Sequence, residues 1–418
     1  MTPPTRQNRA TLHATVSASL SGTNIERAGD YNQRIVLQAI RVSGPITRTE
    51  LGNLTGLTPP AITNITKRLL NDGLIIEVER LHGGRGQPAI PLAINPDGCF
   101  SIGVNVDRDH VTLVVLDLLG HVRRRATLEV AFASPAIVAD FFQEQIDTLK
   151  ADGDLPMDRL TGIGVAMPND LVRNDLLRSD LLRGDATGAP PEYEVWKAIH
   201  VPSLFAEPLA LPVYVENDAT AAALGELQFG HGMRDPSFFY ILISHGLGGG
   251  LVINGNAIIG ANGRSGEIGF LPVRTGNPYP QPLQNVVSLS ALYSLLAANG
   301  HAVSRPGQLR TLNAAGKDIL GRWLDMASDL LLDPLISMSC LINPESVFLG
   351  GRLPLELLDS LAHRINRKLR TRGDLVPVMI PVHRAAMAQD APAIGAAILP
   401  FNDRLLPTRM TLMKTAAG

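Results

Sequence analysis

TRTELGNLTGLTPPAITNITKRLLNDGLII, residues 47–76, reads as two short helices joined by a tight turn and followed by a strand. Thr47 and Glu50 stand three apart just before an apolar residue. At that spacing a hydroxyl and a carboxylate satisfy each other's orphan backbone N–H groups at a helix start. The helix they open is expected to bury Leu51 and Leu54 and to turn at Gly56. Thr58-Pro59-Pro60 starts the next helix, because a first-turn proline lacks only an N–H that would have no partner there. Ile62, Ile65 and Leu69 share its inner face, which leaves Pro60, Thr63, Asn64 and Lys67 outside, and Asp72-Gly73 ends it.

Upstream, Asp30 is placed to cap a helix carrying Ile35, Val36, Ala39 and Ile40 on one face, with Gly44-Pro45 as its stop. Residues 1–29 are rich in Ala, Ser and Thr without an apolar period and read as a mobile tail. Downstream, 74–76 and 89–94 read as the two strands of a wing. Residues 30–95 thus have the outline of a winged helix-turn-helix, whose third helix enters the DNA major groove. In that setting Pro60, Thr63 and Asn64 lie near base edges, and Arg48, Lys67 and Arg68 near phosphates. Arg85, inside Gly83-Gly84-Arg85-Gly86-Gln87-Pro88, has the flanking glycines that let an arginine lie in a narrow minor groove. The blander alternatives are a structural three-helix module with a solvated polar face and a wing tip whose arginine meets only solvent.

The 418 residues are enough for two or three cores. The net charge of −2 divides into +4 over residues 1–90 and −6 over the rest, a basic head on an acidic body, as phosphate contact favours. No apolar run approaches the roughly 18–20 residues of a bilayer span, and no leader sequence is evident, so a soluble cytoplasmic protein with no membrane partner is expected. Cys99 and Cys340 are too few for a disulfide framework or a cysteine-rich metal site, and both are expected to be small buried hydrophobes.

Beyond the head, six segments follow in order: Gly162-Ile163-Gly164-Val165-Ala166-Met167-Pro168, Val215-Glu216-Asn217-Asp218-Ala219, His245-Gly246-Leu247-Gly248-Gly249-Gly250, Gly263-Arg264-Ser265-Gly266-Glu267-Ile268-Gly269, Asn343-Pro344-Glu345 with Leu349-Gly350-Gly351, and Ile394-Gly395-Ala396-Ala397. With Arg48-Thr49-Glu50-Leu51, Leu70-Asn71-Asp72-Gly73 and the wing in the head, the chain resembles the ROK family of sugar kinases and sugar-responsive repressors, from about residue 31 to 400. The resemblance implies an α/β fold in which the winged helix-turn-helix precedes a two-lobed, actin-like sugar-kinase core over 96–418, serving ligand binding and oligomerisation. Local patterns agree: 102–106 with 111–117 and 238–244 with 250–254 read as strand hairpins, and 320–342 as helix.

By resemblance, Asp218 stands where the family's kinases keep their general base, with Asn217 beside it and Glu267 as a further sugar contact. Asn217 or Asp218 also suits the cap of a helix from Ala219 to Leu227, and both roles are compatible. Three residues after Glu267 the family has a histidine where this chain has Phe270, and the family's cysteine-rich zinc loop corresponds to 275–285, with Asn285 near a lost glutamate. No metal and no cofactor is therefore expected. The glycine-rich phosphate loops are replaced by Asp107-Arg108-Asp109-His110 and Ser244-His245-Gly246, so Asp218 is read as a vestigial base and no catalysis is expected. A five-residue Leu/Arg/Asp repeat over 171–185 reads as a self-paired solvated face, with a ligand cover or subunit contact as the alternative.

These readings converge on a transcriptional regulator, a repressor of sugar-metabolism genes. It would bind double-stranded operator DNA as a homodimer or homotetramer and respond to a sugar or sugar derivative between the lobes. The alternatives are an ATP-dependent sugar kinase carrying a DNA-binding head, and a regulator that has lost sugar sensing.

Overall fold

The structure, a computed structural model, describes residues 25–79, 90–169, 171, 194–261, 263–276 and 279–408. Three helices come first, α1 (Ile25–Ser43), α2 (Arg48–Thr55) and α3 (Pro59–Asn71). An antiparallel pair follows, β1 (Ile75–Glu77) and β2 (Leu92–Ile94). The start of α2 is the reciprocal cap its sequence calls for: Glu50 N–H donates to Thr47 Oγ1, and Thr47 N–H donates to the Glu50 carboxylate at 2.8 Å. Gly56 then turns the chain at φ 71°, a conformation that is cheap only without a Cβ.

Three local expectations for the head need correction. The first helix starts at Ile25, so Asp30 lies inside it and pairs with Arg34 one turn on at 3.1 Å, supporting helix where a cap was expected. Leu54 remains 59% exposed, because the two-turn α2 directs Leu51 inward and leaves Leu54 beside Pro45 and Ile46. The second wing strand begins at Leu92, since Pro91 has no N–H for the ladder. Leu92 also bridges Ile46, adding a third edge to the pair. Arg85 and its glycines lie outside the described residues, as do residues 1–24 of the tail and 172–185 of the repeat.

The body holds two five-stranded sheets of the same topology. The first runs β5-β4-β3-β6-β7, from β3 (Phe100–Val106), β4 (His110–Asp117), β5 (Val122–Glu129), β6 (Leu160–Met167) and β7 (Val213–Asn217). Its first three strands form an antiparallel meander, and β6 and β7 add in parallel. The second repeats this order as β10-β9-β8-β11-β12, from β8 (Phe238–Ile243), β9 (Leu247–Ile253), β10 (Asn256–Ala257), β11 (Ser346–Gly351) and β12 (Val382–Arg384). β3, β4 and β8 are buried along their whole length, as strands covered on both faces must be.

Helix α4 (Pro135–Asp152) covers one face of the first sheet with Phe141, Phe142 and Ile146. Between the sheets lie α5 (Asp218–Phe229), against β9, and, later in the chain, Ala391–Arg404, against β3 and β6. These two helices pack on each other more extensively than any other pair of elements. A Cβ at Gly395 would strike the Ala221 carbonyl, and one at Gly164 the Ala396 carbonyl, so glycine permits both approaches.

The expected helix over 320–342 is two helices, α6 (Ala314–Leu330) and α7 (Leu332–Leu341). Pro334 explains the break: it has no N–H for the Leu330 carbonyl and its ring would crowd that carbonyl. Cys340, on the last turn of α7, is exposed, whereas Cys99 is buried as expected. The remaining helices used below are α8 (Leu355–Arg370), which follows β11, and α9, the Ala391–Arg404 helix named above. No described helix is long and apolar enough to cross a membrane.

The head has no separate core. Val36, Leu37, Ile40, Leu51, Ile62 and Leu69 continue without a break into Val114 and Leu116 of β4 and Ile394, Ile398 and Phe401 of α9.

Candidate functional site

On the head, α3 turns Ile62, Ile65, Thr66 and Leu69 inward, and Pro60, Thr63, Asn64, Lys67 and Arg68 are exposed. Thr63 Oγ1 donates to the Pro59 carbonyl at 2.9 Å, which stiffens the start of that face. Arg48 has a second employment. Its Nε donates to Thr66 Oγ1 at 3.2 Å and its Nη2 pairs with Glu77 at 3.0 Å, so one guanidinium ties α2 to α3 and to β1. Thr66, fully buried, is the part of this stitch that the sequence reading missed.

In the body, Asn217 ends β7 and caps α5, its Oδ1 accepting from Ala219 and Thr220 N–H at 3.1 Å each. Asp218 is the first residue of that helix, buried, with Oδ1 accepting from Ala219 N–H at 2.8 Å. A carboxylate at a helix N-terminus is stabilised by the unpaired N–H groups there. Behind it, burial pushes the Glu216 carboxyl up, against the opposing hydrogen bond from Asn217 N–H. Glu267 arrives from the opposite side, accepting from Asn169 Nδ2 at 2.9 Å and lying 3.9 Å from Arg264.

Asn217, Asp218 and Glu267 line one recess of about 490 Å³, mouth included. Arg108, Asn169, Ser244, Arg264, Phe270 and Gln284 complete its polar and aromatic wall. Phe270 is 56% exposed at the mouth, where a ring can cover a sugar face. Gln284, not Asn285, reaches this wall.

A second cavity of similar size adjoins the first and shares Asp218 and Ser244 with it. Its neighbourhood is an ion cluster built on the β3–β4 turn. Arg108 pairs with Asp107 at 3.0 Å, and His110 Nδ1 lies 2.8 Å from Asp109. Arg352, at the end of β11 in the second sheet, reaches Asp109 at 3.3 Å and also pairs with Glu129. His245 lies 3.8 Å from Asp109. Burial alone would raise the Asp109 carboxyl, but hydrogen bonds from His110 and His245 and the charges of His110 and Arg352 outweigh it. Asp109 therefore sits well below the ordinary carboxylate range. Asp107, wholly buried, is lowered in the same way, chiefly by Arg108. Asp107, Asp109 and His110 also place ligand-capable atoms within 4.8 Å of one another, the one such group among the described residues, but arginine cations already balance both carboxylates.

Residues 101–402 of this two-sheet body match the ROK family. The chain belongs to the ROK family. Its head, over residues 30–76, matches winged helix-turn-helix DNA-binding segments, and the fold is that of the ROK sugar kinases with this head added. The Sinorhizobium fredii protein y4fQ is 31% identical over 88% of this ROK chain and 90% of its own length. The xylose repressor of Bacillus subtilis is 26% identical over 59% of this chain and 62% of its own, so the match spans less than two thirds of that relative. A solved ROK family transcriptional regulator, described as a homologue of the Escherichia coli MLC protein, superposes with a TM-score of 0.66 at 22% identity. That superposition covers 92% of this chain and 99% of the other, and it shows the same fold.

Sequence reasoning about this ROK chain missed Arg108, Asn169, Arg264 and Gln284 as cavity wall, and Arg352 as the residue crossing between lobes. Asn169 carried a usable signal, since it stands two residues past β6, at the end where α/β cavities open. Arg352 carried none, because its partners are more than two hundred residues away.

Proposed function

We propose that this chain is a transcriptional regulator, a cytoplasmic repressor of sugar-metabolism genes. It binds operator DNA through α3 and the wing, and its DNA affinity is set by a sugar or sugar derivative held against Asn217, Asp218 and Glu267. The observation that carries this reading is the union, in one apolar core, of a helix-turn-helix head with a ROK body whose three expected sugar-contacting residues line one recess. The repressors among its relatives support it. Thr63, Asn64 and Pro60 are assigned to base edges, Lys67 and Arg68 to phosphates, and Arg85 to the minor groove; Arg48 joins the phosphate contacts with the face its two internal bonds leave open. A homodimer or homotetramer on a pseudo-palindromic site follows from the two-fold symmetry such heads need.

The body is assigned no catalytic role. Around the β3–β4 turn, where a kinase of this family would bring bare backbone to polyphosphate, this chain has two carboxylates and two arginines in mutual pairs. Such a turn does not fit a nucleotide, since Asp107 and Asp109 already engage the cations its phosphates would need. Zinc fits no better: residues 271–300 contain neither cysteine nor histidine.

The test is binding of the purified protein to DNA from upstream of its own gene, at fixed salt. D-xylose, D-glucose, N-acetyl-D-glucosamine and D-glucose 6-phosphate are the candidate effectors. Tight, sequence-specific binding that one sugar weakens supports the reading; absence of specific DNA binding overturns it. Sugar-dependent ATP turnover that disappears in Asp218→Asn would instead establish the kinase reading.

A further inference from the structure

The two helices between the sheets begin at the cleft and end beneath the DNA-binding head. Asp218, at the start of α5, and Asp390 and Pro392, at the start of α9, line the same cavity beside Arg352, the one that adjoins the effector recess. Asp390 is anchored there by Arg125 of β5, at 2.5 and 2.9 Å. The helices are 12 and 14 residues long, so each spans roughly 18–21 Å at 1.5 Å per residue.

At their far ends both meet α1 through arginines. Arg41 donates to Gln228 Oε1 at 2.6 Å and to the Gln228 carbonyl at 3.3 Å, and its guanidinium lies over the Phe229 ring at 5.1 Å. Arg34 donates to the carbonyls of Asp403 at 2.7 Å, Asn402 at 3.3 Å and Leu406 at 3.4 Å. Arg34 and Arg41 are seven residues apart, two turns, and so share one stripe of α1. Each supplies a cation to carbonyls at the end of a body helix, where the helix dipole favours positive charge. The head thus caps both helices in trans.

The pair moves as a unit if it moves at all. Gly395 lies against the Ala221 carbonyl with no room for a methyl group, and a Cβ on Gly225 would stand 3.3–3.5 Å from Ala391 and Gly395. Interfaces this close slide or rotate as rigid bodies and do not deform smoothly. α1 in turn carries α2 and α3 on the shared core. A shift of the α5–α9 pair at the cleft is therefore delivered to α1 at two points two turns apart, which turns displacement into rotation of the head.

We propose that effector occupancy of the cleft is transmitted to the DNA-binding head by the α5–α9 helix pair, with the Arg41–Gln228 and Arg34–Asp403 contacts as its couplings. This rests on the regulatory reading above and adds the route. None of these four residues touches the effector recess or the outer face of α3.

The test uses the full chain in three forms: wild type, Gln228→Ala and Arg34→Gln. For each, three quantities are measured: DNA affinity alone, affinity for whichever of the four probe sugars shifts wild-type DNA binding most, and DNA affinity with that sugar saturating. Allosteric coupling factors are commonly about 5–150-fold and are reciprocal between the two ligands. The variants should keep sugar affinity and sugar-free DNA affinity within about twofold, while the coupling factor falls to below about twofold in both directions. A coupling factor unchanged in both variants overturns the inference and leaves the regulatory reading standing. A wild type whose DNA affinity ignores all four sugars removes the regulatory reading itself, and this route with it. A merely structural role for these contacts would show as loss of all three affinities together, and that result also counts against the proposal.

Discussion

Arg352 of the second sheet donates to Asp109 of the first across the cleft, at 3.3 Å, and holds Glu129 as well. One guanidinium therefore balances two carboxylates where the lobes meet. All three side chains are largely shielded, with 17% exposure at Arg352, 15% at Asp109 and 26% at Glu129. Removing the cation strands two partly buried anions, a costlier change than removing the whole cluster. Arg352→Met should destabilise the protein by about 1–3 kcal/mol, less than a fully buried pair because water reaches part of it. Adding Glu129→Gln to that variant should recover part of the loss. Denaturant unfolding of the single and double variants measures both, and simple additivity would contradict the shared cluster.

The depressed Asp109 carboxyl gives a pH dependence of definite sign. Its folded value lies below its unfolded value, which is near 3.9 for a free aspartate. The stability it contributes is then fully present above about pH 5 and is lost as pH falls through about 4 and below. Unfolding free energies of wild type and Asp109→Asn should converge as pH falls from about 5 to 3. Curves that stay parallel down to pH 3 would refute the assignment.

On the head, Asn64 and Lys67 are both exposed on α3 but should behave differently. Asn64→Ala should cost about 1–3 kcal/mol on the specific operator and little on unrelated DNA, as loss of a base contact does. Lys67→Ala should weaken both kinds of DNA alike and reduce the slope of log affinity against log salt by about one. Fluorescence titrations at four salt concentrations distinguish the two, and equal effects of both changes would remove the division of labour.

Asn217 and Asp218 separate folding from recognition. Asn217 caps α5 with two hydrogen bonds, so Asn217→Ala should lower stability by about 1 kcal/mol as well as weaken the effector. Asp218→Asn preserves shape and an acceptor at that position, so it should leave the melting temperature within a few degrees while abolishing the sugar response. Calorimetry of both variants with and without sugar tests the pair; an unaltered response in Asp218→Asn would move the effector elsewhere.

What the sequence disclosed was local. The Thr47–Glu50 reciprocal cap, the Gly56 turn and the proline start of α3 are settled within four residues, and each is where its spacing places it. The β3–β4 and β8–β9 hairpins were likewise legible, because short apolar runs and short connections are near-neighbour properties. The errors in the helices were local as well, where two nearby signals compete. Asp30 sits inside a helix that its pair with Arg34 supports, the break before α7 comes from a proline four residues downstream of the lost bond, and Leu54 had no second apolar surface to reach. In the cleft distant partners decide. Asn217, Asp218 and Glu267 came from motifs, whereas Arg108 and Arg352 enter it only because the chain returns there from far along its length.

The unbroken apolar seam from Leu37 to Phe401 has a consequence for how this chain measures DNA. A reader on a slack tether can search for its half-site and tolerates operators of many spacings. Here the reading helix is mortised to the ROK body, so in any symmetric assembly the distance between two such helices is fixed by the bodies, as in a calliper. Inserting or removing one base pair between half-sites rotates one of them by about a tenth of a helical turn, and a mortised head has no slack to follow it.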